Sequence, residues 1–346
     1  MKKLLFLILT FIVFSCKKKT DEKEQKIFDR ITFIYNLKQD VDENTWKTFN
    51  NKEYDVPLIY FTNSSSYIAN PTEKFLKTFK SEIIFQDQKI KIYSSKNRVD
   101  NLPFHMETGM TLGDPTDKYN YHSPFMMCSS YEETFKKIPS IGSTDEWITM
   151  VMHEYFHGYQ YKHKSYIEYY EKEIVQIQPD SLVAIYKNND WFKKSIDEEN
   201  QLLLKALGEK DNISTKKIIK DFFSLRNKRR SEVFAKLNVD ISKYEKCYET
   251  MEGTARYIEF SLYDLFSKKR PNPQLLKSDT SYKSFQKFRN YNINKDKWLY
   301  ESEMTTYFYA TGFNMARVLD KLKIDYKSRL FKEGKVTMED ILLEKL

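Results

Sequence analysis

The stretch His153-Glu154-Tyr155-Phe156-His157 restricts the fold more than any other part of the chain. Residues four positions apart lie on one face of an α-helix, so His153 and His157 can bind the same metal ion if this stretch is helical. Glu154 then lies beside them, where it can handle a proton. The pattern is typical of zinc sites. The alternative is that both imidazoles are core side chains with other partners.

The residues around this stretch favour a helix. Ser143 and Glu146 have the spacing of a capping box, in which two side chains bind the free N–H groups at the start of a helix. Apolar and aromatic residues then recur over a wide surface: Trp147, Ile148, Val151, Met152, Tyr155, Phe156 and Tyr159. We therefore predict a buried helix over residues 144–164.

A catalytic zinc site takes a third protein ligand and keeps its fourth position for water. The remaining histidines are His105, His122 and His163. His163 has the spacing of the third histidine in the metzincin pattern His-Glu-x-x-His-x-x-Gly-x-x-His, but Gln160 replaces the glycine. If the helix continues, His163 lies about 240° around the axis from His157 and points away from the metal. A carboxylate from elsewhere is therefore the preferred third ligand.

The preferred carboxylate is Glu252, which Gly253 follows inside an otherwise helical run. A glycine there costs the helix about 1 kcal/mol relative to alanine, which indicates a close approach by another element. The run from Glu249 to Glu259 resembles the third-ligand helix of the gluzincin peptidases, especially the zinc aminopeptidases. The resemblance implies that Glu252 ligates the metal and that Glu259 hydrogen-bonds a ligating imidazole. Glu249 is the competing ligand; the alternative for Glu252 and Glu259 is that both are solvated helix acids.

Tyr309-Ala310-Thr311-Gly312 resembles the tyrosine-bearing stretch of the same enzymes, whose hydroxyl stabilises the tetrahedral oxyanion. The resemblance implies that Tyr309 is the oxyanion donor, with Tyr307 as the second choice. A structural tyrosine is the alternative. Small residues at helical spacing, including Gly312 and Ala316, predict close packing against the active-site helices.

Two features depart from the gluzincin pattern. Between His157 and Glu252 lie 94 residues, far more than in thermolysin or the aminopeptidases, so an inserted helical segment must fit between the two ligand helices. The Gly-x-Met-Glu-Asn motif of the aminopeptidases is absent. The resemblance therefore covers residues 153–312 and says little about residues 27–141.

The N-terminus has the pattern of an export signal, with Lys2 and Lys3 before a mostly apolar run of 11 residues. Val13-Phe14-Ser15-Cys16 resembles the lipobox of bacterial lipoproteins. This implies that residues 1–15 are a signal peptide and that Cys16 is lipidated. We expect residues 16–27 to form a polar tether that holds the protein to a bacterial cell-envelope membrane, facing the periplasm or exposed on the outer membrane. The alternative is a plain secretory signal.

The rest of the chain predicts an α+β fold with a gluzincin-like (thermolysin-like) catalytic core. Residues 28–140 mix short helical and β-rich stretches, including Val56–Phe61 and a hairpin over residues 83–93, so we expect an α+β lobe with a small sheet. Residues 141–346 should form a helical, zinc-binding lobe. Its predicted helices cover residues 191–207, 215–237, 241–266, 305–322 and 338–346.

Charge and cysteine content exclude some functions. Lys and Arg exceed Asp and Glu by 8, but the surplus is dispersed. This surplus forms no isolated basic block beyond the tether and the run Arg226–Arg230, which is on a predicted helix. It indicates solubility and weak affinity for anionic surfaces, and we expect no nucleic-acid partner. Cys128 and Cys247 could form a disulfide or remain two buried thiols. With no CxxC pair, a zinc site built mainly from cysteines is excluded.

Together these patterns predict a zinc-dependent metallopeptidase with one zinc ion per chain and a peptide or protein substrate. Glu154 would activate the zinc-bound water. Phe125–Ser129 is the expected edge strand for an extended substrate. The alternatives are a non-catalytic envelope lipoprotein that binds a partner or ligand, and a zinc amidase that acts on a non-peptide amide. The sequence does not predict which peptide or protein is cut, or the oligomeric state.

Overall fold

The predicted α+β class is confirmed in the computed structural model, which describes residues 21–79, 81–95, 102–109, 123–301 and 306–346. The predicted signal peptide and Cys16 lie outside the described residues. Among the helices that are described, none combines the length and the apolar character that a membrane crossing requires.

One mixed sheet of six strands lies within the first half of the chain. Its order is β3-β4-β2-β1-β6-β5, and every neighbouring pair is antiparallel except β1 and β6, which are parallel. The predicted hairpin is confirmed as β3 and β4. The strands are β1 (Leu58–Phe61), β2 (Ser66–Ala69), β3 (Glu82–Gln86), β4 (Lys91–Ser95), β5 (Met106–Gly109) and β6 (Phe125–Ser129).

The prediction that Phe125–Ser129 is an edge strand is wrong. β6 lies between β1 and β5, and all five of its residues are buried. A short continuous apolar run is typical of a strand covered on both faces, which places it inside a sheet. The edge strand on this side is β5.

The described residues also form thirteen α-helices, of which α3 and α4 pack against the sheet. They are α1 (Glu22–Asn44), α2 (Glu73–Thr78), α3 (Tyr131–Lys137), α4 (Thr144–Tyr161), α5 (Lys164–Tyr169), α6 (Pro179–Asn188), α7 (Asp190–Gly208), α8 (Asn212–Leu237), α9 (Ser242–Lys268), α10 (Pro273–Ser278), α11 (Lys297–Glu301), α12 (Tyr307–Lys321) and α13 (Met338–Glu344). Short helical turns cover Lys52–Tyr54, Tyr170–Ile174, Gln286–Phe288 and Ile293–Lys295. The five helices predicted after residue 190 are all present, with ends shifted by a few residues.

Helix α1 begins at Glu22, whereas we predicted the folded part to begin at residue 28. Residues 22–27, predicted as the end of a tether, form its first turns. The reason is an apolar stripe at helical spacing, in which Ile27, Phe28, Ile31 and Ile34 are all buried. This stripe joins one continuous core that draws residues from both predicted lobes.

Helices α9 and α12 cross at two glycines. A Cβ atom added to Gly253 would lie 2.4 Å from the backbone carbon of Gly312, and one added to Gly312 would lie 2.2 Å from the Glu249 carbonyl oxygen. No side chain fits at either position. The close approach predicted from Gly253 is therefore confirmed.

The basic run at residues 226–230 is not a surface patch. Its three arginines are buried on α8 and form ion pairs with four buried glutamates from three other helices. Because acidic partners distant in sequence enclose these arginines, they add nothing to the dispersed surface charge from which solubility and weak anion affinity are expected. We call this group the arginine–glutamate cluster: Arg226, Arg229, Arg230, Glu199, Glu245, Glu249 and Glu339.

Candidate metal centre

Helix α4 carries the two histidines of the motif and lies against β5, β6 and α9. Ser143 caps its start by accepting a hydrogen bond from the Glu146 backbone N–H, while the Glu146 carboxylate accepts from the Gly142 N–H at 2.8 Å. The helix ends at Tyr161 rather than at the predicted residue 164. Its apolar surface is buried, as the sequence pattern predicts.

One oxygen of Glu252 faces both histidines. Glu252 Oε2 lies 3.4 Å from His153 Nε2 and 3.3 Å from His157 Nε2, although Glu252 comes from α9 and both histidines come from α4. Zn–N and Zn–O bonds of about 2.0–2.2 Å place two ligands of a tetrahedral ion about 3.3–3.5 Å apart. The Glu252 Oε2 atom is also buried without a hydrogen-bond partner. Both distances from Glu252 match the ligand–ligand separations of a tetrahedral zinc ion.

Glu154 is the other carboxylate beside the histidines. The metal-binding atoms of His153, Glu154 and His157 lie within 4.8 Å of one another, and Glu154 Oε1 is 4.0 Å from His153 Nε2. That distance is longer than the 3.4 Å from His153 Nε2 to Glu252 Oε2. Burial raises the pKa of Glu154 above its ordinary value, although the nearby histidines oppose the shift. Such a carboxylate is suited to accepting and returning a proton.

The electrostatics of the three candidate ligands are strongly coupled. Burial alone would lower the pKa of His157, but the charge of Glu252 raises it to about 9. Burial alone would raise the pKa of Glu252, but the two histidines hold it well below its usual range. Protons and a metal ion compete for the same histidine nitrogen atoms. Metal binding at this site should therefore release protons.

Glu259 lies behind His153, two turns after Glu252 on α9. Its Oε2 is 3.4 Å from His153 Nδ1, which is buried without a hydrogen bond, and it also pairs with Arg256. Burial would raise the pKa of Glu259, but the Arg256 guanidinium lowers it below its ordinary value. Glu259 is therefore an ionised carboxylate next to the nitrogen of His153 that faces away from Glu252.

The two second-choice residues do not face the histidines. The Glu249 carboxylate accepts hydrogen bonds from Arg226 at 2.6 and 2.7 Å and from Thr311 at 2.5 Å. The Tyr307 hydroxyl donates to Glu245 at 2.7 Å. Glu249 therefore belongs to the arginine–glutamate cluster, and Tyr307 is hydrogen-bonded to it.

His163 has other partners as well. Its ring stacks on Tyr54 with centroids 4.3 Å apart, and its Nδ1 lies 2.9 Å from the Tyr159 carbonyl oxygen. His105 stacks on Phe61, and His122 lies outside the described residues. Cys128 and Cys247 are both buried free thiols, so the disulfide alternative is not realised.

Tyr309, at the start of α12, lies next to the candidate ligands. Its ring centroid is 6.1 Å from that of His153, and the Arg256 guanidinium lies 4.7 Å above the Tyr309 ring. The negative charge of Glu252, followed by burial, raises the pKa of Tyr309 above its ordinary value. The hydroxyl therefore keeps its proton at neutral pH and can donate it in a hydrogen bond.

Three further residues belong to this region and were not singled out as functional from the sequence. Arg256 pairs with Glu259 three residues later, a helical spacing that is visible in the sequence. Thr108, on the edge strand β5, donates to the Glu154 carbonyl oxygen at 2.5 Å. Gln160 contacts His157, with Oε1 2.8 Å from Nδ1. The sequence analysis considered Gln160 only as the residue that replaces a glycine.

Comparison with known proteins assigns no family and no function to the chain. No protein-family model, curated protein or solved structure matches the chain. Its function must therefore be argued from the residues that meet at this site.

Proposed function

We propose that the chain is a zinc-dependent metallopeptidase of the gluzincin type, with His153, His157 and Glu252 as the ligands of one zinc ion. The observation that carries this proposal is the convergence of both histidine Nε2 atoms on Glu252 Oε2, at 3.4 and 3.3 Å. A buried carboxylate oxygen without a hydrogen-bond partner is costly unless a cation binds it.

The residues around the ligands suit amide hydrolysis. When bound, zinc would polarise the substrate carbonyl and lower the pKa of its water toward about 7. Glu154 takes a proton from the attacking water as the water oxygen bonds to the carbonyl carbon. Glu154 then gives the proton to the leaving nitrogen as the C–N bond breaks. Tyr309 donates a hydrogen bond to the developing oxyanion, a contact worth on the order of 3 kcal/mol in other enzymes.

An extended substrate would bind along β5. Within the described sheet β5 has a partner strand on one side only, and its Thr108 side chain bonds to the backbone of Glu154. Pairing of a peptide with this edge would bring its carbonyl groups close to Glu154. The substrate is therefore a peptide or an extended segment of a protein.

The location follows from the N-terminal residues, which lie outside the described part. We propose that the protein is exported and anchored in a bacterial envelope membrane through a lipidated Cys16. A Cys16→Ser variant should lose incorporation of labelled palmitate and move from the membrane to the soluble fraction of the envelope. A variant that remains membrane-bound and labelled would contradict the anchor.

Metal analysis and one variant test the catalytic proposal. The purified protein should contain about one zinc per chain, and chelation should abolish hydrolysis of a general protein substrate. Glu154→Gln should keep the zinc and lose the hydrolysis, because an amide cannot accept the proton. Glu168→Gln, an exposed change on α5, is the matched control and should alter neither property. Full hydrolysis by Glu154→Gln would refute the mechanism.

A further inference from the structure

We infer that Gln160 is a positioning residue. It holds a hydrogen on His157 Nδ1 and links His157, through hydrogen bonds, to the backbone next to Glu252. Its expected effect on zinc rests on the proposed function, whereas its hydrogen bond to His157 does not. Gln160 stands where the metzincin pattern has a glycine, and its side chain is fully buried between α4 and α9.

The side-chain amide of Gln160 has three partners. Its Nε2 lies 2.8 Å from the Met251 carbonyl oxygen and 2.9 Å from Thr254 Oγ1, while its Oε1 lies 2.8 Å from His157 Nδ1. All three distances are those of good hydrogen bonds. The amide therefore spans from a candidate ligand on α4 to the residue that precedes Glu252 on α9.

The Met251 contact determines which way the amide points. A backbone carbonyl oxygen can only accept, so the amide nitrogen of Gln160 must face Met251. The amide oxygen then faces His157 and can only accept, so His157 Nδ1 must carry a hydrogen. The unprotonated nitrogen of a neutral His157 is consequently Nε2, the atom 3.3 Å from Glu252. In a flipped amide two oxygen atoms would face each other at 2.8 Å.

The two histidines are thus supported differently. The Nδ1 of His153 faces the carboxylate of Glu259 at 3.4 Å, whereas the Nδ1 of His157 faces a neutral amide at 2.8 Å. The contact with the Gln160 amide is the shorter one, and the same amide also hydrogen-bonds to α9. A shift of the Met251–Glu252 peptide would therefore move His157 with it, so that the ligands from both helices keep their relative positions.

Gln160→Leu tests this role by removing all three hydrogen bonds while keeping a buried side chain of similar size. In protein with ¹⁵N-labelled histidine, the wild type should show a slowly exchanging, downfield Nδ1–H resonance for His157, and in Gln160→Leu this hydrogen should resonate upfield and exchange faster, because its hydrogen bond is lost. Zinc affinity, measured by competition with a chelator, should fall about 10- to 100-fold in the same variant, the usual effect of removing a support of a ligating histidine.

Two further variants separate positioning from general stability. Gln160→Glu keeps an acceptor for His157, so it should retain the Nδ1–H resonance and bind zinc more tightly than Gln160→Leu. Thr215→Val removes the hydrogen bond that the buried Thr215 hydroxyl on α8 donates to the Asp211 carbonyl oxygen at 2.8 Å, away from the site. It should lower the denaturation midpoint and leave the zinc affinity unchanged.

The outcomes are distinguishable from those of the metallopeptidase proposal. If the wild type binds no zinc, that proposal fails, yet the His157 resonance still decides the role of Gln160 in the metal-free protein. If the Nδ1–H resonance keeps its position and slow exchange in Gln160→Leu, or if that variant binds zinc within threefold of the wild type, the inference is overturned.

Discussion

Replacing Gly312 with alanine tests the helix contact that brings α9 and α12 together. The new Cβ would lie 2.2 Å from the Glu249 carbonyl oxygen and 2.9 Å from the Gly253 Cα. An ordinary carbon–oxygen contact is longer than 3 Å, so the helices must separate by about 1 Å. Backbone atoms surround the site, and unlike a side chain they cannot rotate away.

The expected free energy of unfolding follows from two opposing terms. Alanine favours a helix over glycine by about 1 kcal/mol. Overpacking typically costs about 1–3 kcal/mol and occasionally more, and a clash between two backbones belongs at the upper end. The difference between the two terms is about 2 kcal/mol, so we expect Gly312→Ala to destabilise the protein by at least that much, roughly a 30-fold change in the unfolding equilibrium.

Denaturant unfolding, followed by circular dichroism and tryptophan fluorescence, measures this difference. Gly208→Ala is the matched control, because a Cβ at this last residue of α7 meets no atom within 4 Å. It should be neutral or stabilising by up to about 1 kcal/mol. An equal or higher midpoint for Gly312→Ala than for the wild type would refute the argument from close approach.

Three further predictions concern metal binding, the buried ions and pH. Glu252→Ala should weaken zinc binding by about 100-fold or more by titration, whereas His163→Ala should leave it unchanged; the reverse result would restore His163 as the third ligand. Arg229→Met should cost about 3–5 kcal/mol in denaturant unfolding, because the buried Glu199 and Glu245 each lose one of their two arginine partners, whereas truncation of the exposed Lys236 should cost under about 1 kcal/mol. Burial alone would raise the pKa of Glu132, but its basic partners lower it to about 2, so its contribution is present above about pH 4.5 and is lost as the pH falls toward 2. With its carboxylate partly exposed, Glu132→Gln should cost about 1 kcal/mol at pH 7 and nothing at pH 2 in unfolding measured across that range; a constant difference would contradict this.

The sequence predicts the parts of this fold that depend on local patterns. Helix α4 combines a cap, an apolar surface and the histidine spacing, and these three signals agree. Gly253 indicates a close approach because a glycine inside a helix is costly, and Gly312 is the residue that approaches it.

Other features depend on partners that are distant in sequence. A run such as Phe125–Ser129 is compatible with a central strand and with an edge strand, because the periodicity of a sequence indicates burial and not strand order. The end of α4 before His163 has no glycine or proline to mark it. For Gln160, only the tertiary structure shows that a polar residue on an apolar helix reaches across to α9.

The arginine–glutamate cluster has a consequence for how such a chain can change in evolution. The 94 residues between His157 and Glu252 include α8, whose arginines neutralise Glu245 and Glu249 on the candidate ligand helix α9. Deleting α8 would leave these two buried carboxylates of α9 without their cations. In related sequences the arginine positions of α8 and the glutamate positions of α9 should therefore vary together, and a shortened form should be found only where those glutamates have become neutral.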